Sequence, residues 1–96
     1  MHSIKDVLIF RSRDKTVADP ITVCFPWDKS GNLVACVGMG ETPFHPQGFC
    51  QHSTALIGPH LGLPVNYVDL NDDCAKVIRL ELMAYNEAPE FNCIPD

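Results

Sequence analysis

The chain has 96 residues, of which 46% are hydrophobic and 20% are charged, and its formal net charge is −5. This composition is typical of one ordered globular domain, which we expect to span residues 1–96. Lysine and arginine form no cluster interleaved with aromatic residues, and no apolar run approaches the roughly 18 residues of a membrane span, so neither nucleic acid nor a membrane is an expected partner.

The N-terminal part of the chain predicts three β-strands, at residues 4–10, 21–25 and 33–37. Each is a short apolar run rich in β-branched or aromatic residues, and each is bounded by polar or turn-forming residues. The second and third runs are separated by a turn-forming cluster at residues 28–32. This spacing predicts an antiparallel hairpin.

Residues 38–64 form a central stretch that is rich in glycine, proline and histidine and carries a single formal charge, Glu41. Regular structure is hard to sustain there, so we expect a long loop with one helical turn from Ser53 to Ile57. A connection of this length is uncommon in a compact domain and indicates either a functional loop or an unrecognised element. Residues 65–69 are a candidate for a further short strand.

A helix is predicted over residues 72–87. Asn71 is a suitable N-cap, two aspartates follow at the positive end of the helix dipole, and Pro89 lies just beyond the end. Apolar residues recur on one face: Cys74, Val77, Ile78, Leu82 and Tyr85. The expected fold is therefore α+β, with a small antiparallel sheet of three or four strands packed against one C-terminal amphipathic helix.

Glu81 falls in the middle of that apolar helix face. An unpaired buried carboxylate is costly, so we expect the side chain to extend to solvent, to pair with Arg79, Arg11 or a backbone N–H, or to point into a site against a histidine of the central stretch. Phe44 and Phe49 supply apolar area in that stretch. We take Glu81, Phe44 and Phe49 as candidate binding residues.

Histidine and cysteine in the central stretch raise the question of a zinc site. His45, Cys50, His52 and His60 are the candidate ligands, with Glu81 as an alternative fourth ligand in place of His45. Their side chains are of the right kind, but their spacing differs from the paired ligands of common zinc modules. The alternative is that they hydrogen-bond to the backbone of a loop poor in charge.

The five cysteines are an odd number without a CxxC pair, which favours free thiols in a reducing cytoplasm. The apolar run at residues 7–10 is too short for a secretory signal, which agrees with a cytoplasmic location. Cys50 beside a histidine would form a thiolate–imidazolium pair, with Gln47 or Gln51 as an oxyanion donor. A small cysteine-dependent enzyme is therefore one alternative.

Interaction with another protein accounts best for the apolar area of the central stretch and for the open edges of a small sheet. We expect a cytoplasmic binding or interaction protein without catalytic activity of its own and without a cofactor. Its partner is a second copy, in a homodimer, or another protein. A zinc-binding protein and a cysteine- or histidine-dependent enzyme are the alternatives.

Overall fold

Within residues 3–26 and 33–87, which the computed structural model describes, the fold is one five-stranded antiparallel sheet and one C-terminal helix. The α+β class is thereby confirmed. The strands are β1 Leu8–Arg11, β2 Ile21–Phe25, β3 Leu33–Met39, β4 Cys50–Leu56 and β5 Leu63–Pro64, and the helix is α1 Asp72–Glu87. Short 3-10 turns lie at Ile4–Asp6, Pro59–Leu61 and Tyr67–Asp69.

The strand order across the sheet is β4-β3-β2-β1-β5. The first four strands follow one another as antiparallel neighbours, and Val37 of β3 pairs with Val23 on one side and His52 on the other. The chain then crosses from one end of the sheet to the other, where β5 pairs with β1. Gly62 makes the turn into β5 with φ of 114°, a conformation that favours glycine.

Helix α1 covers one face of the sheet, and the main core lies between the two. Side chains alternate along β3, so that Ala35, Val37 and Met39 join the core under the helix. Within this core, the rings of Phe25 and Tyr85 stack with their centroids 4.5 Å apart. The opposite face carries a smaller apolar cluster centred on three buried side chains, Cys24, Val34 and Cys36.

Helix α1 has the bounds that the sequence predicts, and its cap is the predicted one. Asn71 Oδ1 accepts a hydrogen bond from the backbone N–H of Cys74 at 2.9 Å, and Asn71 Nδ2 donates to the carbonyl oxygen of Glu41 at 2.8 Å. The five apolar residues expected on the inner face are all buried. One side chain thus starts the helix and fixes it to the connection that follows β3.

The central stretch differs most from expectation. Residues 50–56 form strand β4, so the sheet has five described strands rather than three or four, and the expected long loop is interrupted. Ser53 lies inside this strand and does not cap a helical turn. The sequence does not indicate this strand because β4 is exposed on both faces except at half-buried Ala55. Its residues therefore lack the apolar–polar alternation that marks a strand.

Smaller differences concern the ends of elements. Residues 4–6 form a 3-10 turn, in which the Ser3 N–H donates to Asp6 Oδ2 at 2.8 Å, and the first strand begins only at Leu8. Residues 65–69 contain a 3-10 turn rather than a strand, and the added strand lies just before them at β5. The predicted turn at 28–32 and Pro89 lie outside the described residues. Neither α1 nor the 3-10 turns of the described ranges have the length and hydrophobicity to cross a membrane.

Candidate functional site

Among the residues that the structure describes, strand β4 lies at one end of the sheet and pairs only with β3, so its other edge is open. It is seven residues long, and all of its side chains are exposed except that of half-buried Ala55. It contains no charged residue and no proline. Edge strands normally carry such residues because they prevent pairing with the strand of another chain. The β4 edge is therefore suited to accept a further strand.

The contact between His52 and Glu81 joins this edge to the helix. His52 Nε2 lies 2.7 Å from Glu81 Oε1, and the His52 side chain is 66% exposed while that of Glu81 is 18% exposed. His52 stands on the helix side of the sheet because it pairs with Val37, a core residue. The histidine therefore covers the carboxylate that interrupts the apolar face of α1.

The other expected partners of Glu81 are engaged elsewhere. Arg79 Nη1 donates to the Tyr67 hydroxyl at 2.7 Å, and Arg11 forms an ion pair with Glu41. Of the expected alternatives, the structure thus brings Glu81 to a histidine of the central stretch. The role of Glu81 in binding stays a prediction.

Cys50 projects to the same side of β4 as His52, since the two residues alternate along the strand. Partial burial raises the pKa of the Cys50 thiol, and the negative charge of Glu81 raises it further. A cysteine nucleophile needs the opposite, a lowered pKa that yields thiolate near neutral pH. The arrangement of cysteine, histidine and carboxylate here does not favour nucleophilic catalysis.

The candidate zinc ligands lie in three separate places. Cys50 and His52 share one side of β4, while His45 lies in the β3–β4 connection, where its Nδ1 accepts from the Gln47 N–H at 3.1 Å. His60 lies in the 3-10 turn after β4. In residues 3–26 and 33–87, no three His, Cys, Asp or Glu side chains converge in a way that would hold a metal ion. The zinc set stays a prediction from residue types alone.

The two candidate aromatic residues differ in exposure. Phe44 is 53% exposed and lies under the ammonium group of Lys76, whose Nζ is 5.8 Å from the ring centroid. Phe49 is half-buried, and its carbonyl oxygen accepts from the Gly40 N–H at 2.8 Å, which closes the β3–β4 connection. Phe44 therefore adds apolar surface beside the helix, whereas Phe49 mainly supports the local fold.

Sequence reasoning identified His52 and Glu81 separately, but it missed the strand that brings them together. The missing signal is the register, in which His52 stands opposite Val37, and this register follows from the length of the β3–β4 connection. A comparison with known protein families, with curated proteins and with solved structures found no match. Function is therefore inferred from the geometry of this chain.

Proposed function

We propose that this protein is a non-catalytic binding protein that forms a homodimer by pairing strand β4 with β4 of a second copy. The observation that carries the proposal is the exposed, uncharged edge of β4. Seven residues at about 3.3 Å each make an edge roughly 23 Å long. Pairing along it would satisfy backbone N–H and C=O groups of both copies and join their sheets.

A second copy suits this edge because antiparallel pairing is self-complementary. A two-fold axis perpendicular to the sheet at Ser53 places Cys50 of each copy opposite Leu56 of the other. His52 of each copy then lies opposite Thr54 of the other. Both copies of α1 stay on the same face of the joined sheet, and Leu56, now 55% exposed, gains an apolar neighbour.

Charge also favours approach along this edge. Each copy has a net charge of −5, so two copies repel one another unless their charged surfaces are kept apart. The acidic excess lies in residues 69–96, and β4 itself contributes no charge. The carboxylate that contacts the strand, Glu81, is covered by His52. Pairing at β4 therefore places no two charged side chains of the paired strands opposite one another.

The alternatives have less support. A cysteine-dependent enzyme needs a thiol of lowered pKa, whereas burial and the Glu81 carboxylate raise the pKa of Cys50. A zinc protein needs about four converging ligands, and the candidate residues are spread over β4, the β3–β4 connection and the turn after β4, with no converging set in the described ranges. Location in the cytoplasm remains part of the proposal, on the ground of the odd number of thiols.

Sedimentation equilibrium over a range of protein concentrations tests the proposal. Ser53→Lys places a lysine at the axis, where it would face the same lysine of the other copy. Asn66→Lys adds the same charge beyond β5, at the opposite end of the sheet, and serves as the matched control. We expect twice the monomer mass for the unsubstituted protein and for Asn66→Lys, and the monomer mass for Ser53→Lys.

Two results would overturn the proposal. One is a monomeric unsubstituted protein at the highest concentration, and the other is a Ser53→Lys protein that remains dimeric. Circular dichroism of each variant establishes that the chain is folded before its mass is interpreted. Elemental analysis of protein purified without chelator is made on the same sample, and one zinc per chain would support the metal-binding alternative instead.

A further inference from the structure

A cavity of about 230 Å³ opens on the face of the sheet that α1 does not cover. It lies over strands β2, β3 and β4, and one side is formed by Leu61 from the turn that follows β4. Asp19, Thr22 and Gln51 line it with polar side chains. The β4 residues Gln51, Ser53 and Ala55 also line it, whereas the pairing proposed above uses the backbone edge of that strand.

Gly38 makes the floor of the cavity. It sits in β3 between Thr22 on β2 and Gln51 on β4, so these three residues form one row across the sheet. A Cβ atom at residue 38 would lie 2.7 Å from Asp19 Oδ2. The backbone of Gly38 is ordinary extended strand without positive φ, so a side chain at this position would displace the Asp19 carboxylate rather than strain the backbone.

Asp19 is the only charged residue among the described residues that line the cavity. Its carboxylate reaches over Gly38, and within the described residues it forms no hydrogen bond or ion pair with another protein group. Its charge adds a small effect at Cys36, whose pKa is raised mainly by burial, lowered by a hydrogen bond with Ser53 and raised again by Asp19. The cavity therefore holds one uncompensated negative charge beside neutral donors and acceptors.

From this geometry we infer that the cavity binds a small primary ammonium compound with a short apolar chain. The ammonium group would donate to the Asp19 carboxylate and to the Thr22 hydroxyl, and the chain would lie against Leu61 and Ala55. An anionic ligand would be repelled by Asp19. The cavity is small and open to solvent on one side, so we expect the bound part of the ligand to be a few heavy atoms.

The test is a titration of the full chain, labelled with ¹⁵N, with n-butylammonium chloride as the probe. We expect saturable shifts of the backbone amides of Gly38 and Gln51, which weaken as sodium chloride is added. 1-Butanol and butyrate, which match the probe in size but lack its positive charge, should bind at least tenfold more weakly. Equal binding of 1-butanol, or shifts confined to other residues, would overturn the inference.

Two variants locate the site. Asp19→Asn keeps the shape of the side chain and removes its charge, so affinity for n-butylammonium should fall at least tenfold. Asp69→Asn removes one charge from an exposed 3-10 turn elsewhere and should leave the affinity unchanged. Gly38→Ala places a methyl group where the Asp19 carboxylate lies and displaces it, so affinity should also fall, while the amide spectrum establishes that each variant is folded. Unchanged affinity in folded Asp19→Asn would contradict the inference.

Discussion

His52 of the edge strand and Glu81 of the helix meet at 2.7 Å between Nε2 and Oε1, and this contact crosses the boundary between the core and the open edge of the sheet. The carboxylate is the more enclosed of the two groups, so it depends on the histidine more than the histidine depends on it. The same contact links β4 to α1, and β4 otherwise has little buried side-chain area.

Removal of the histidine alone should therefore lower the free energy of unfolding more than removal of both polar groups does. His52→Ala leaves Glu81 largely enclosed without its donor, and we expect the free energy of unfolding to fall by about 1 kcal/mol. In a Glu81→Leu background, the same His52→Ala change should cost much less. Urea unfolding of the two single variants and the double variant measures the difference. Additive effects would show that the contact contributes nothing to stability.

The N-cap of α1 gives a second prediction. Asn71→Ala removes both the acceptor for the Cys74 N–H and the donor to the Glu41 carbonyl, so we expect a loss of about 1–2 kcal/mol. Asn71→Ser keeps a capping oxygen but is too short to reach Glu41, and its loss should be smaller. Thermal unfolding of both variants checks this order, and an equal loss would assign the whole effect to the contact with Glu41.

Buried thiols make the protein sensitive to alkaline pH. Burial, with a smaller contribution from Cys36, raises the pKa of Cys24 to about 12 from an ordinary value of 9.0. The folded state thus holds this proton more tightly than the unfolded state does, so its contribution to stability is complete below pH 9 and is lost as the pH rises towards 12.

The measurement is the free energy of unfolding between pH 8 and pH 11. Each such thiol steepens the decline above pH 9 by roughly 1 kcal/mol per pH unit. Cys24→Ala should flatten the decline but not abolish it, since burial also raises the pKa of Cys36 and Cys74. The slopes are compared rather than the absolute values, because the substitution also leaves a cavity. Identical slopes would refute the assignment to Cys24.

Exposure and a raised pKa have opposite effects on the reactivity of the Cys50 thiol. Among the described cysteines it alone is exposed, so iodoacetamide should modify it before Cys24, Cys36 and Cys74. Its raised pKa should nevertheless keep the reaction at pH 7 slower than that of a thiol in the urea-unfolded chain. Peptide mass spectrometry over time, with Cys50→Ser as the control, gives both rates. A faster modification of Cys50 in the folded chain than in the unfolded chain would support the cysteine-dependent enzyme instead.

The helix could be predicted from sequence because several independent signals agree over 72–87: a cap, acidic residues in the first turn and a sustained apolar period. Strands β2 and β3 were also predicted, because they are central and their apolar runs are continuous. β4 could not be predicted, for the opposite physical reason. It is held by backbone pairing to β3 while its side chains remain in solvent, so burial leaves no pattern in its sequence.

The candidate site was predictable only in part. The position of Glu81 on the apolar face is a helical property, and the need for a partner follows from it directly. The identity of that partner depends on the β3–β4 register, which one inserted residue would shift. The cavity at Gly38 could not be predicted, since Asp19 and Gln51 are far apart in sequence. They line the same cavity only because β2, β3 and β4 pair side by side.

The path from β4 to β5 sets a mechanical limit on the sheet. Four inter-strand spacings of about 4.8 Å separate the two outer strands, and Leu63 lies in the same row as Cys50, six residues before Leu56, so the ends of the connection would lie roughly 28 Å apart in a flat sheet. Residues 57–62 must span this distance although three of them are coiled into a 3-10 turn with a rise near 2 Å each. The segment reaches only about 20 Å, so the sheet must curve for β5 to pair with β1. The length of this connection therefore limits how far the two outer strands can move apart, and residues inserted into it would relax that limit.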